Sequence, residues 1–355
     1  MSRRTTALFK VGLSALHYTG LDAALSRWSR GAGAVLMLHQ VTAEPPPAFS
    51  PNRILRVTPN FLEATIRQVR DAGFDIVSMD EVARRLDSPD GSRPFVAFTL
   101  DDAYRDNLLE AYPVFRRNDV PFTIYAPTDY LDGRGELWWI ALERVIAATD
   151  TLTAEIHKSG ETFATRTVGE KSLAFHRIYW RLRGIDETVA RAEVRRLCEA
   201  HGIDGAHLCR ELIMTWDELK SMANDPLVTI GAHTCRHFAV ARLPEAAARR
   251  EMADSKLRIE RELRRPCRHF SFPFGDEASA GPRDFALARE VGFETAVTTR
   301  KGVVRLDRPA SARAIPRVSL NGDYQDARYV KVLLSGVPFA LHDAARSLLR
   351  RHAPI

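Results

Sequence analysis

The sequence predicts an α/β fold in which strands and helices alternate along the chain. Three observations predict it. Short apolar runs of strand length recur between segments of helical periodicity, the signature of βα units. Helix start signals stand between those runs: Thr58-Pro59 sets an N-cap before a first-turn proline, and Thr215 precedes Asp217 and Glu218. The chain has 355 residues of which 45% are hydrophobic, enough for one large domain or two ordinary ones.

Taken in order, residues 1–32 form an N-terminal segment of their own. Ser2-Arg3-Arg4 with Phe9-Lys10 is weakly twin-arginine-like and leaves export open. The stretch 11–25, however, carries His17 and Asp22 and has no clear small-residue cleavage site. Leu8, Val11, Leu16 and Leu21 fit an amphipathic helix. The expectation is a cytoplasmic chain whose N-terminus rests on the domain or on a membrane surface, so peripheral membrane contact stays open. Strands are expected at 35–38, 74–77, 95–100, 122–125, 228–230, 270–272 and 295–297. After Thr58, the residues Phe61, Leu62, Ile66 and Val69 make one buried helical face, and the longest helix is expected at 244–263. Two regions break the rhythm. A proline-rich loop from Glu44 to Pro51 follows the first strand. Residues 131–212 read as a mostly helical insertion whose Trp138, Trp139, Phe175, Tyr179 and Trp180 make a small core, with sugar stacking at a site rim as the other use. Residues 323–355 read as a basic C-terminal tail.

Composition excludes several classes. Gly 20 and Pro 19 rule out a collagen-like or low-complexity chain, and a charged fraction of 27% beside so many apolar residues rules out wholesale disorder. Lys+Arg 51 against Asp+Glu 45 leaves +6, too small a surplus for a nucleic-acid partner. Four cysteines, Cys198, Cys209, Cys235 and Cys267, contain no C-x-x-C pair, which argues against a disulfide scaffold and a thiolate zinc cluster. No apolar run is long enough to cross a bilayer.

Three motifs carry chemistry. Phe95-Val-Ala-Phe-Thr-Leu-Asp101-Asp102 ends an apolar strand on paired carboxylates, which repel unless a metal or a proton holds them. Ile230-Gly-Ala-His233-Thr-Cys-Arg-His237 sets two imidazoles four residues apart, on one face if the segment is a helical turn, a spacing suited to shared metal ligation. Phe270-Ser-Phe-Pro273-Phe274-Gly275 runs from a strand into a turn that can present backbone N–H groups to a ligand.

Together these residues resemble the polysaccharide deacetylase family, also called the NodB-homology or family 4 carbohydrate esterase domain. Thr99-Leu-Asp-Asp-Ala103 is similar to its T-F-D-D-G/A motif, His233-Thr-Cys-Arg-His237 to H-S/T-x-x-H, and His269-Phe-Ser-Phe-Pro-Phe-Gly275 to its third motif. The resemblance implies a distorted (β/α)7 barrel over 33–322, interrupted by the insertion, and a metal-dependent hydrolase of amide bonds in carbohydrate metabolism. Two departures stand out. The third motif's usual arginine is replaced by Ser271 or Phe272, and the family's C-terminal histidine motif has only a local match at Leu341-His342-Asp343. In one branch that motif moves to the N-terminus, and Val35-Leu-Met-Leu-His39-Gln-Val41 resembles that arrangement.

The function this implies is N-deacetylation of N-acetylglucosamine-containing oligo- or polysaccharides, as in chitooligosaccharide deacetylase. Asp102, His233 and His237 would bind one divalent metal, with Zn²⁺ first and Co²⁺, Ni²⁺ or Fe²⁺ also suited to two imidazoles and a carboxylate. Asp101 would be the general base, with a second metal ligand as its alternative role, and Arg317 would orient it in place of the missing arginine. The Phe274 N–H beside Pro273 would complete the oxyanion site. The general acid would be His39 or His342. Of the eleven histidines, His17, His157, His176, His201, His207 and His352 lie in the N-terminal helix, the insertion or the tail, and His269 precedes its strand. His39 is preferred because it follows an apolar strand and because the permuted family pattern places its histidine there; the alternative for it is a buried structural histidine. Two rival functions remain on the sequence: an exported exopolysaccharide or peptidoglycan deacetylase, and a catalytically silent glycan-binding barrel.

Overall fold

The computed structural model describes residues 3–88, 93–156, 159–306 and 312–351, so His157 and His352 lie outside the described residues. Seven parallel strands make the core: β1 (Gly33–Leu38), β2 (Phe95–Asp101), β3 (Phe122–Ala126), β4 (Val228–Ala232), β5 (His269–Ser271), β6 (Thr295–Lys301) and β7 (Ile315–Ser319). They are hydrogen-bonded in the order β1-β7-β6-β5-β4-β3-β2, and β2 pairs back onto β1 from Gly33↔Phe95 to Leu38↔Leu100. This is a closed (β/α)7 barrel, the fold that the resemblance implied.

Alternation along the strands divides the apolar residues into two populations. Val35, Phe95, Ala97, Tyr125, Val297 and Ile315 point inward and fill the barrel. Ala34, Leu36, Leu38, Val96, Phe98, Leu100, Phe122 and Ile124 point outward into a larger core under the helices. Strands covered on both faces read as continuous apolar runs, which is why six of the seven were visible in the sequence. Space inside is tight: a Cβ on Gly231 of β4 would lie 2.5 Å from the Tyr125 ring.

One strand assignment is corrected. Residues 74–77 contribute only a two-residue strand, Asp75–Ile76, which pairs with the lower part of β2 outside the closed ring. The seventh barrel strand is β7. Pro316 within it argues against a central strand, because proline cannot donate to the ladder. The structure accommodates it at a register shift between β6 and β7, where Val297 pairs with Ile315 but Lys301 with Arg317.

The helices follow their start signals. Thr58 accepts the Phe61 N–H ahead of the Pro59–Asp71 helix, Thr215 and Glu218 form a capping box, and the longest helix is Glu245–Leu263. The insertion contains helices Trp138–Ala147, Val168–Gly184, Glu187–Ala200 and Gly205–Leu212, with an antiparallel pair, Thr151–Ile156 and Ser159–Ala164, that helical patterning did not predict. That pair buries alternate residues of its first strand, Leu152, Ala154 and Ile156, under the insertion. Within the basic C-terminal tail the described residues include the helices Ala327–Leu334 and Val337–Arg351. The N-terminal segment is two helices, Arg3–Tyr18 and Leu21–Ser29. Leu13 of the first packs on Tyr329 and Val332, with Leu16 against the same cluster.

Candidate active site

The strand β2 ends at Asp101, whose side chain continues the inward rank of Phe95, Ala97 and Thr99. Strict alternation would turn Asp102 outward. Instead Asp102 (φ 75) and Ala103 (φ 57) are both left-handed, and this sharp turn brings both carboxylates into one cleft. Aspartate tolerates this conformation better than most residues, and strain of this kind concentrates at functional sites.

The two histidines are not on a helical turn, as their spacing had suggested. Residues 233–239 are irregular, with Thr234 (φ 62) and His237 (φ 60) left-handed. The loop is held by side chains instead. Thr234 Oγ1 accepts the His237 N–H at 2.8 Å. The buried Glu251 carboxylate, from the Glu245–Leu263 helix, accepts the Cys235 and Arg236 N–H groups at 2.9 and 3.0 Å. Nothing in the sequence marked Glu251, an acid within a strongly charged helix. Cys235 turns away from the site, its Sγ 3.7 Å from the Glu251 carbonyl oxygen.

Asp102, His233 and His237 come together, all buried, with one ligand atom from each within 4.8 Å of the others. Asp102 Oδ1 lies 3.2 Å from His237 Nε2 and 3.5 Å from His233 Nε2. It meets neither in hydrogen-bond geometry and is left as a buried acceptor without a partner. His233 Nδ1 is 2.6 Å from the Ser271 carbonyl, which fixes Nδ1 as the protonated nitrogen and leaves the Nε2 lone pair facing Asp102. Burial pushes the Asp102 carboxyl up, but the facing imidazoles more than offset it and keep the group ionised; burial holds His237 below its ordinary value. Two imidazoles, one carboxylate and an unsatisfied buried oxygen fit a divalent cation. His237 is further clamped by Phe274 and Trp139, with ring centroids 4.9 and 5.1 Å away.

Asp101 is locked differently. Arg317 starts on β7 level with Ala97, since Leu36 pairs with both Phe98 and Val318, and its side chain climbs the barrel interior. Its guanidinium grips Asp101 at both oxygens, Nη1 to Oδ1 at 2.8 Å and Nη2 to Oδ2 at 2.6 Å. The other donors reach the Thr298 carbonyl, Thr99 Oγ1 and Ser271 Oγ at 2.8, 3.1 and 3.1 Å. All five N–H groups are thus used in a fully buried network. Burial alone would raise the Asp101 carboxyl, but the Arg317 charge and hydrogen bonds bring it below the usual value.

His39, just past β1, lines the same cleft, whereas His342 is exposed on the C-terminal helix beside Asp343. A neighbouring carboxylate can raise a histidine pKa. The net direction at His39 is the reverse: burial lowers it and outweighs the pull of Asp102 and Asp101. The chain after His39 is tied to the segment beyond Asp102. Asn107 Nδ2 donates to the His39 carbonyl at 2.7 Å, Asp106 Oδ1 accepts the Val41 N–H at 3.2 Å, and Glu110 Oε2 accepts the Ala43 N–H at 2.6 Å.

Asp106 makes this tie pH-dependent. Burial pushes its carboxyl up to about 7, and the Val41 N–H offsets only part of the rise. A carboxyl raised above its unfolded value of about 3.9 favours folding when protonated, so its contribution is complete in acid and is lost as pH rises through about 7. Asparagine keeps the acceptor and cannot ionise. Between about pH 5 and pH 8 the wild type is expected to lose about 2–4 °C in melting midpoint relative to Asp106→Asn. Parallel melting curves across that range would remove Asp106 as the cause.

In the third motif, Phe274 takes φ 60 and Gly275 φ 58; a Cβ on Gly275 would lie 2.6 Å from the Thr299 nitrogen. Pro273 is buried, and its carbonyl accepts the Gly275 N–H at 2.7 Å. No backbone carbonyl of the described residues accepts the Phe274 N–H. The cleft, about 740 Å³, runs between the 48–55 loop and one face of the Val168–Gly184 helix: Ser172, Phe175, His176, Tyr179 and Trp180. The insertion aromatics therefore divide. Trp138, Trp139 and Phe175 are buried, while Trp180 stays 56% exposed on the cleft wall. His176, set aside on the sequence with the insertion, lines this wall too.

The polysaccharide deacetylase family model matches residues 88–296, more than half of the chain. The chain belongs to the polysaccharide deacetylase family. The Streptococcus pyogenes deacetylase PplD, solved in complex with acetate, is 15% identical with a TM-score of 0.55, over 82% of this chain and 92% of that one. IcaB from Ammonifex degensii is 15% identical with a TM-score of 0.51, over 86% and 98%. A de-N-acetylase from Aggregatibacter actinomycetemcomitans is 14% identical with a TM-score of 0.52, over 82% and 95%. At such identities the likeness is one of fold. No curated protein matches the chain.

Within the polysaccharide deacetylase match lie both aspartates, both histidines and the Phe274 turn; His39 and Arg317 fall outside it. Ser271, one of the two residues that replace the third motif's usual arginine, accepts from the Arg317 guanidinium. Arg317, named from the sequence for this place, reaches Asp101 from another strand of the barrel.

Proposed function

We propose that the chain is a divalent-metal-dependent hydrolase that removes N-acetyl groups from N-acetylglucosamine-containing oligo- or polysaccharides, with chitooligosaccharides as the reference substrate. One observation carries this reading: a buried Asp102-His233-His237 set opens on the same cleft as a second carboxylate, Asp101, held ionised by Arg317. A cation in that set, Zn²⁺ by preference and Co²⁺, Ni²⁺ or Fe²⁺ as alternatives, would supply Lewis-acid polarisation of the acetamide carbonyl and a more acidic water.

The chain's own residues do the rest. Asp101 takes a proton as the water oxygen bonds to the carbonyl carbon, and its fixed orientation aims that acceptor at the reacting atoms. The Phe274 N–H meets the oxygen that gains negative charge. Burial favours the neutral form of His39, so it takes up the proton that Asp101 removed from the water and hands it to the departing nitrogen, leaving Asp101 ionised again. The carbon–nitrogen bond then breaks, giving acetate and a free amine. A silent glycan-binding barrel is disfavoured because Asp101, Asp102, His233 and His237 converge on one cleft. The deciding measurement is acetate release from N-acetylglucosamine oligomers, with chelator and with Zn²⁺ restored. No release from the metal-loaded protein would sink the proposal.

Trp180 offers an apolar ring on the cleft wall where a sugar neighbouring the reacting unit would lie. Trp180→Ala is expected to raise KM for oligomers about three- to tenfold, the worth of one ring stack, with kcat and the melting midpoint nearly unchanged. An unaltered KM would exclude Trp180 from the binding path.

A further inference from the structure

The N-terminal helix pair turns an apolar surface to solvent. In the Arg3–Tyr18 helix, Leu13 and Leu16 face the Ala327–Leu334 helix. On its opposite side lie Leu8, Val11, Ala15 and Tyr18 at helical spacing, with Leu8, Val11 and Tyr18 exposed by 72%, 67% and 74%. The Leu21–Ser29 helix repeats the pattern with Leu21, Leu25 and Trp28, the last 60% exposed, while Asp22 is buried. Of Leu8, Val11, Leu16 and Leu21, whose spacing fits one amphipathic helix, packing separates Leu16 from the other three. Soluble domains seldom line up exposed leucine, valine, tyrosine and tryptophan in this way.

Charge points to the occupant. Residues 1–32 carry Arg3, Arg4, Lys10, Arg27 and Arg30 against the single acid Asp22. A second copy of the chain would set this basic segment against itself. An anionic bilayer surface meets both features, taking the apolar stripes at the headgroup boundary and the cations at the phosphates. Trp28 and Tyr18 are the aromatic types that favour that boundary. We propose that the helix pair 3–29 docks this protein peripherally on anionic lipid. None of its helices is long and apolar enough to cross a membrane among the described residues, so the contact is interfacial. On the side of the helix that faces the domain, Lys10 Nζ stands 5.9 Å from the Tyr324 ring, next to the cleft-lining Asp323. This inference is independent of the deacetylation chemistry.

The test is co-sedimentation of the full chain with vesicles of phosphatidylcholine alone or with about a third phosphatidylglycerol. The expected result is binding to the mixed vesicles that weakens as salt is raised. Leu8→Glu with Trp28→Glu should weaken it at least about tenfold while leaving the melting midpoint intact, since both side chains are exposed. Three results would overturn the proposal: wild type left in the supernatant at low salt, undiminished binding by the double variant, or a wild-type dimer by light scattering that the double variant abolishes, with no vesicle uptake.

Discussion

Asp101→Asn is expected to keep its metal and lose about 10²–10⁴-fold in kcat, the usual worth of a positioned general base. The asparagine is nearly isosteric and its oxygen can still accept from Arg317, so the barrel network should survive in part while the proton acceptor disappears. His237→Ala provides the contrast. It removes one of three converging ligands, and loss of bound metal should accompany loss of activity. Metal content by elemental analysis, read beside acetate release, separates the two roles. If Asp101→Asn lost its metal together with its activity, Asp101 would be a ligand and the assignment as base would fail.

Arg317→Met is expected to destabilise the fold by about 3–5 kcal/mol, because it strands the Asp101 carboxylate in the barrel without a counter-charge. For a chain of this size that is roughly a 4–7 °C fall in melting midpoint. The same change should silence the enzyme at neutral pH. With the Arg317 charge gone, burial is the dominant influence on Asp101 and raises its pKa, so the base is held protonated. Activity should recover partly in alkali, a shift in the acidic limb of the pH–rate profile that simple misfolding would not produce. Asp101→Asn in the Arg317→Met background removes the stranded charge and should restore part of the stability but none of the activity. In the wild type the ion pair contributes stability above the unfolded carboxylate value of about 3.9, and loses it as pH falls through the lower folded value. A wild-type melting midpoint and pH profile in Arg317→Met would show that the buried pair supports neither fold nor base.

Much of this protein was legible along the chain. Strand runs buried on both faces, helix caps and three motifs at strand ends follow local rules of periodicity and turn chemistry. Those rules were enough for the α/β class and six barrel strands, while the grouping of Asp102, His233 and His237 rested on the family resemblance of the three motifs. The preference for His39 over His342 rested on a local fact as well, an apolar strand directly before it; the structure sets His39 in the cleft and His342 on an exposed helix.

Other features were settled only when distant segments met. β7 carries a proline that reads against a strand, and only the closing of the ring and a shifted register make room for it. The left-handed turn at Asp102 and the irregular His233–His237 loop depend on contacts from elsewhere, Glu251 above all, and no spacing rule encodes them. The direction of the His39 pKa was likewise a matter of burial, which a sequence does not display. Trp138 and Trp180 are the same residue type in one insertion, yet one is core and the other cleft wall. Local sequence determined which segments become strands and helices and which residues can do chemistry, because those depend on near neighbours. Tertiary packing alone decided which side chains are desolvated, paired or left facing water, because burial and Coulomb interactions depend on distance in space.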